Sequence, residues 1–89
     1  MSRLSTALSN DYKALCLLRD ELALHTSLLK AELKDRWNKL EADFATLREH
    51  IGRAEVAAED SRKEVEAAAS KLLNALRTSY TDMRNALKS

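Results

Sequence analysis

Apolar residues in the middle of the chain recur at alternating intervals of three and four residues. The pattern is clearest in RWNKLEADFATLREHIGRAE, residues 36–55, where apolar side chains stand at positions 37, 40, 44, 47, 51 and 54. This spacing places them on one side of an α-helix and is typical of coiled coils and helical bundles. The chain has no Pro and a single Gly, so the residues that usually form turns are almost missing. These features predict an all-α fold of long amphipathic helices.

The length of the chain limits how much surface it can bury alone. Its 89 residues form at most one small domain, and short chains bury little surface when they fold without a partner. We therefore expect residues 1–89 to form one helical unit that self-associates, or pairs with a partner helical protein, as a coiled coil or helical bundle. A helical hairpin is a further possibility. The predicted oligomer interface consists of the large apolar side chains Leu18, Leu22, Leu29, Leu33, Trp37, Leu40, Phe44, Leu47, Ile51, Val65, Leu72, Leu76, Tyr80, Met83 and Leu87.

The single glycine, Gly52, lies inside the apolar stripe. The stripe keeps one phase through it, with rows at positions 37, 44, 51, 58, 65 and 72 and at 40, 47, 54, 61, 68 and 75. A turn would normally reset this phase, and a glycine in a helix costs only about 1 kcal/mol relative to alanine. We expect the helix to continue through residue 52. In the alternative, Gly52 ends one helix and Ser61, the first residue of an S-x-x-E capping box, starts the next.

A second possible break lies in LHTSLLKAE, residues 24–32. Thr26 or Ser27 could cap a helix that begins at Leu28. Between residues 14 and 33 the apolar residues form a wide face, which indicates contact with more than one neighbour. The N-terminal third is therefore either a short helix folded back on the rest or the most enclosed part of a bundle. Of the two sites, residues 25–27 are favoured for a true turn.

Charge and cysteine content restrict the choice of partners. The 15 basic and 14 acidic residues give a net charge of +1, which does not favour nucleic acid. The longest unbroken apolar run, residues 14–18, is too short to span a membrane. The single cysteine, Cys16, cannot form an intramolecular disulfide and fits a small buried position. We expect a cytoplasmic protein that binds no nucleic acid, with a membrane or lipid surface as the alternative partner.

The second half of the chain separates its charges. Acidic residues dominate from residue 55 to residue 66, and basic residues dominate from residue 71 to residue 88. In a self-associating helix, this separation favours an antiparallel pairing of the acidic middle with the basic end.

Motifs of catalytic and metal sites do not occur in this sequence. His25 and His50 lack the glutamate three residues earlier that di-iron bundles use. There is no His-Glu-x-x-His, no Cys-x-x-Cys, no phosphate-binding glycine loop and no nucleophile elbow. The sequence therefore predicts a protein that is not an enzyme and has no catalytic residues, cofactor or metal.

Three segments also resemble a known class of proteins. DRWNKLEADF, the alanine-rich middle and KLLNALRTSYTDM resemble short bacterial coiled-coil proteins of the apolipoprotein-like, stress-associated kind. The resemblance covers residues 30–87 and implies a small helical protein without catalytic residues. The function that the sequence predicts is that of a structural or protein-interaction module, with an amphipathic lipid-surface-binding protein as the alternative.

Overall fold

The computed structural model describes residues 5–88 and contains three α-helices joined by two short turns. Helix α1 is Thr6–Ala23, helix α2 is Ala31–Val56 and helix α3 is Glu59–Lys88, with a 3₁₀ turn at Thr26–Leu28 between the first two. No strand occurs within the described range. The predicted all-α fold is confirmed, and its architecture is a three-helix bundle.

The two turns reverse the chain twice, so that α1 and α3 run in the same direction and α2 runs against both. At one end, the backbone N–H of Ser5 donates to the carboxylate of Glu66 at 3.0 Å. Toward the other end, Glu21 of α1 lies 3.9 Å from Arg84 of α3. The bundle measures 44 × 19 × 17 Å, and its length is that of α3, because 30 helical residues rise about 45 Å.

The first turn occupies residues 24–30, which include the site that the sequence favours for a break. The N–H of His25 donates to the carbonyl of Leu22 at 2.9 Å, and the hydroxyl of Thr26 donates to the carbonyl of Ala23 at 3.2 Å. These bonds satisfy carbonyls that the end of α1 would otherwise leave without partners. Leu29 then adopts an extended conformation and is buried, which anchors the turn to the core.

Helix α2 passes through Gly52 without interruption, as the sequence predicts, and ends at Val56. The chain becomes extended at Ala57, where φ is −69° and ψ is 149°. The carbonyl of Ala58 then accepts the first hydrogen bonds of α3, from the backbone N–H groups of Ser61 and Arg62. The alternative helix start at Ser61 is therefore wrong by two residues, since Ser61 lies in the first turn of a helix that begins at Glu59.

The turn at residues 57–58 shifts the phase of the buried stripe. On α2 the buried positions are 37, 40, 44, 47, 51 and 54, as the sequence predicts. On α3 the predicted positions 61, 68 and 75 are exposed, as is position 58 in the turn, and Val65 and Leu72 are only half-buried. The continuous phase is wrong because alanine and serine fit a helix surface as well as a seam. The buried residues of α3 are Ala69, Leu73, Leu76, Tyr80 and Met83.

One chain forms the hydrophobic core by itself. Trp37, Leu40, Phe44 and Ile51, which the sequence analysis assigns to contacts with a neighbouring molecule, are all buried by the same chain. Two turns without glycine or proline allow three helices to share this interior, and association with a second molecule stays a prediction. The core also contains Leu8, Leu15, Leu22, Leu29, Leu47, Ala69, Leu73, Leu76, Tyr80 and Met83.

Replacing Gly52 with alanine tests the helical conformation at this position. A Cβ built on Gly52 meets nothing within 4 Å, and Gly52 has no positive φ. We expect Gly52→Ala to raise the free energy of unfolding by about 0.5–1 kcal/mol, because alanine loses less backbone entropy in a helix. Thermal unfolding followed by circular dichroism measures the change.

The matched control for this substitution is Ala42→Gly, at an exposed position of the same helix. It should lower the free energy of unfolding by a similar amount. A loss of stability in Gly52→Ala would show that residue 52 ends the helix.

Candidate interaction surface on the first helix

The four aromatic side chains of this sequence form two pairs that connect the helices. Tyr12 of α1 stacks on Phe44 of α2, with ring centroids 6.1 Å apart and planes inclined by 15°. Trp37 of α2 packs against Tyr80 of α3 at 6.0 Å. Such pairs contribute roughly 0.5–1.5 kcal/mol beyond the area that they bury. The two aromatic pairs attach α1 and α3 to α2.

A bidentate ion pair fixes α1 against α2. Arg19 Nε donates to Glu41 Oε1 at 2.7 Å, and Arg19 Nη2 donates to Glu41 Oε2 at 2.6 Å. The hydrogen bonds to Glu41 raise the pKa of Arg19. The same guanidinium lies 5.0 Å from the centre of the Phe44 ring, where a cation–π attraction adds to the contact. This geometry matches the rotation of α1 that buries Leu8, Leu15 and Leu22, and it links α1 to α2.

Tyr80 is fully buried, and its hydroxyl has no hydrogen-bond partner among residues 5–88. Burial raises the pKa of Tyr80 above its ordinary value of 10.0, and the neighbouring Glu41 carboxylate raises it further. The phenol is therefore neutral at physiological pH. Tyr80 contributes packing to the core.

The residues predicted to form an oligomer interface are brought together, but inside a single chain. The buried ones are Leu22, Leu29, Trp37, Leu40, Phe44, Leu47, Ile51, Leu76, Tyr80 and Met83. The half-buried ones are Leu18, Leu33, Val65, Leu72 and Leu87. Because these side chains face the other helices of the same molecule, a surface for a partner must be sought elsewhere.

Exposed leucines mark such a surface on α1. The large apolar side chains that residues 5–88 leave exposed are Leu17 at 72%, Leu24 at 81%, Leu28 at 70% and Val56 at 79%. Leu17 lies in α1, and Leu24 is the cap residue directly after the helix, with helical backbone angles, so the two leucines, seven residues apart, project from the same side. That side is opposite to buried Leu15 and Leu22, because two residues advance about 200° around a helix. We call Leu17 and Leu24 the leucine ridge.

A groove of about 340 Å³ runs between the leucine ridge and α3. Arg84 lies at its edge, where its Nη1 is 3.9 Å from Glu21 Oε2. The Nε of Arg84 is buried and has no hydrogen-bond partner within the described residues. The α3 side of the groove is therefore basic, with donor capacity that the bundle does not use. The groove is lined by Ala14, Leu15, Leu17, Leu18, Glu21, Arg77, Thr81 and Arg84.

A larger cavity of about 530 Å³ continues the groove toward the first turn. Glu21 and Arg84 border both spaces. Its apolar part consists of leucines from α1, the turn, α2 and α3, and its charged part is mostly basic. The cavity is lined by Glu21, Leu22, His25, Leu28, Lys30, Leu33, Arg84, Ala86, Leu87 and Lys88.

Other kinds of site find little support in the described range. Residues 5–88 contain no group of three or more His, Cys, Asp or Glu side chains placed to hold a metal ion. Free Cys16 is half-buried against the core. None of the helices in that range combines the length and apolar character needed to cross a bilayer.

Comparison with protein-family profiles, curated proteins and solved structures yields no match for this chain. The resemblance to apolipoprotein-like coiled-coil proteins therefore stays a prediction from the sequence.

Removing the Tyr80 hydroxyl tests whether it is unsatisfied. An unpartnered buried polar group destabilises a fold by about 1–3 kcal/mol, so Tyr80→Phe should unfold at an equal or higher urea concentration than the wild type. The fluorescence of Trp37, which contacts residue 80, reports the transition. A loss of stability in this variant would mean that the hydroxyl makes a bond in solution.

Alkaline pH tests the same burial independently. A raised pKa means that Tyr80 ionises in the unfolded chain at a pH where the folded chain keeps it neutral. Stability is thus fully present below pH 10.0, the ordinary value, and falls as the pH rises above it. Tyr80→Phe should lose less stability over this interval. Tyr12, whose pKa is also raised by burial, contributes equally to both proteins, and parallel pH profiles would contradict the assignment.

Proposed function

We propose that this chain is a non-enzymatic protein-interaction module that self-associates through the leucine ridge of α1. The observation that carries the proposal is the exposure of Leu17 and Leu24, at 72% and 81%, on one side of a helix whose opposite side is fully packed. Among residues 5–88, the other leucines of the three helices are buried or half-buried. Two exposed leucines at heptad spacing are typical of a seam between helices.

In this proposal each chain folds first, and the folded chains then associate, so folding does not require a second copy. Because one chain supplies the residues of the core, we expect the free monomer to be folded. A second copy would cover the outer side of α1 and add to the bundle. Such a module suits reversible scaffolding or adaptor binding, because partners can separate without unfolding.

The size of the ridge predicts weak association. Burying one leucine completely stabilises a contact by roughly 1.5–3 kcal/mol, and bringing two proteins together costs at least about 4 kcal/mol. Two ridge leucines from each copy leave a modest net gain. We expect a dissociation constant between about 1 µM and 1 mM.

Replacing the ridge leucines tests the proposal. Leu17→Gln combined with Leu24→Gln keeps good helix formers at both positions and should weaken self-association at least about tenfold, because it removes 1.4 kcal/mol or more of apolar burial. Sedimentation equilibrium from micromolar to millimolar concentration measures the constant. Circular dichroism checks that the variant stays helical.

Val56→Gln is the matched control, since Val56 is equally exposed but lies at the end of α2. It should leave the dissociation constant unchanged. A wild-type chain that remains monomeric throughout, or a ridge variant that associates as well as the control, would overturn the proposal. A bundle that opens on lipid vesicles and places Trp37 against the acyl chains, seen as quenching of Trp37 by lipid-attached quenchers, would support the lipid-surface alternative instead.

A further inference from the structure

The buried stripe of α3 repeats the buried stripe of α2 at a distance of 36 residues. Four buried residues of α2 are Trp37, Leu40, Phe44 and Leu47. The residues 36 positions after them are also buried, and they are Leu73, Leu76, Tyr80 and Met83. Because an α-helix has 3.6 residues per turn, 36 residues make ten complete turns. The stripe therefore shifts at the second turn when it is counted in heptads, but it keeps its face when it is counted in helical turns.

A continuous helix over residues 31–88 would thus carry both stripes on one side. Ala58 and Val65 would bridge them, since Ala58 lies 18 residues, or five turns, before Leu76, and Val65 lies equally far after Leu47. Such a helix would be about 87 Å long, at 1.5 Å per residue, whereas the bundle is 44 Å long. In it, α3 would point away from α2 and could not cover the core of its own chain.

The second turn contains nothing that opposes a helical conformation. The segment RAEVAAED, residues 53–60, has no Gly or Pro and consists mostly of strong helix formers. Ala57 is extended, with φ of −69° and ψ of 149°, although alanine is the residue that most favours a helix. Neither Ala57 nor Ala58 has a side chain that could cap a helix end. Residues 57–58 can therefore act as a hinge.

The first turn and the contact between α1 and α2 do not depend on α3. The hydroxyl of Thr26 donates to the carbonyl of Ala23 within the first turn. Arg19 makes two short hydrogen bonds to Glu41, and an aromatic pair also connects α1 to α2. None of these contacts involves α3. Helices α1 and α2 can thus stay together as one unit when α3 moves away.

We infer that two copies of this chain exchange their α3 helices about the hinge at residues 57–58 and form a domain-swapped dimer. In each copy α2 and α3 become one helix, and α3 packs on α1 and α2 of the second copy. The contacts of α3 within the bundle then form between the copies, among them the packing of Tyr80 on Trp37 and the bond from the Ser5 N–H to Glu66. The second copy fits because it supplies the same α3 surface that the bundle buries. This association does not use the leucine ridge and is independent of the proposed function.

Concentration decides between the bundle and the swapped dimer. Both forms bury the same core, but the dimer loses the translational and rotational freedom of one molecule. Exchange between them requires α3 to separate from the core, which is close to unfolding. We therefore expect the swapped dimer to form when the chain refolds at high concentration and to persist after dilution. A ridge dimer separates on dilution, because its chains part without unfolding.

Refolding distinguishes the swapped dimer from the ridge dimer. The variant that combines Leu17→Gln with Leu24→Gln lacks the ridge. We expect this variant to give a dimer in size-exclusion chromatography after it is refolded from urea at millimolar concentration and diluted to micromolar concentration. Refolding at micromolar concentration should give only monomer. Monomer alone after both treatments overturns the inference and leaves the ridge proposal untouched.

Distances between two spin labels in one chain show whether the helix is continuous. Ala42 and Ala75 are exposed, and each lies five residues from the contact of Trp37 with Tyr80 toward the second turn, so they are at one level of the bundle. The labels are attached to Ala42→Cys and Ala75→Cys in a Cys16→Ala ridge variant, diluted with unlabelled ridge variant. Pulsed EPR should give about 50 Å within each chain of the dimer, from the rise along the helix. In a closed bundle the labels are one helix spacing apart, about 8–10 Å, plus the two linkers. A dimer that shows only the short distance overturns the inference.

A proline at the hinge tests the same point without labels. Glu59 is the first residue of α3, where proline is well tolerated in the bundle, but a continuous helix would place this proline in its interior. We expect Glu59→Pro to fold as a monomer and to weaken the swapped dimer at least about a hundredfold. Glu59→Ala is the matched control, because it removes the same carboxylate and favours the helix, and it should dimerise at least as well as the parent.

Each outcome with the hinge variants decides the inference. A folded Glu59→Pro variant that dimerises as well as Glu59→Ala overturns it, and loss of the dimer in the proline variant alone supports it. Circular dichroism shows whether the proline variant is folded. If it is not, the label distances, which are measured with the natural hinge, decide.

Discussion

The burial of Leu8, Leu15 and Leu22 decides how the first helix is turned on the bundle, and the bidentate pair between Arg19 and Glu41 reinforces that rotation. With Arg19 bound to α2, the leucines at positions 8, 15 and 22 face the core and the ridge faces outward. The pair is partly exposed, so its direct contribution to stability is small compared with that of the buried leucines. Its effect is on specificity, because a rotated α1 would expose a different set of side chains. Any partner surface on this helix depends on that rotation.

The sequence predicts the fold best where the side chains are large. The stripe from Trp37 to Ala54 is buried as predicted, and α2 runs through Gly52, because Trp, Leu, Phe and Ile have one favourable place on an amphipathic helix. The prediction is wrong beyond Val56, where alanines and serines fit both a seam and a surface. The second turn uses Ala57 and Ala58 with ordinary backbone angles, so it carries none of the usual glycine or proline signals. The sequence pattern therefore does not distinguish a chain of three helices from a chain of two.

Whether a seam is covered by the same chain or by another chain could not be read from the pattern, because helices pack by the same rules in both cases. Most of the predicted interface residues consequently lie in the core. The exposed leucines were missed, although the sequence contains a signal for them. The segment from residue 14 to residue 33 contains more apolar residues than one helix contact can bury. Leu17 and Leu24 are recognised as the exposed ones only when the structure shows which of the others face α2 and α3.

The contact between Ser5 and Glu66 links the start of one helix to the body of another. A carboxylate at a helix start compensates the backbone N–H groups there and the positive end of the helix dipole, and here that carboxylate comes from 61 positions further along the chain. The first helix has a local cap as well, because the Ser5 hydroxyl accepts a hydrogen bond from the Leu8 N–H at 3.3 Å, and Glu66 adds a link that forms only when α3 is in place. A nascent chain that has emerged only as far as the second turn lacks this link, and it also lacks the α3 side of the groove beside the leucine ridge.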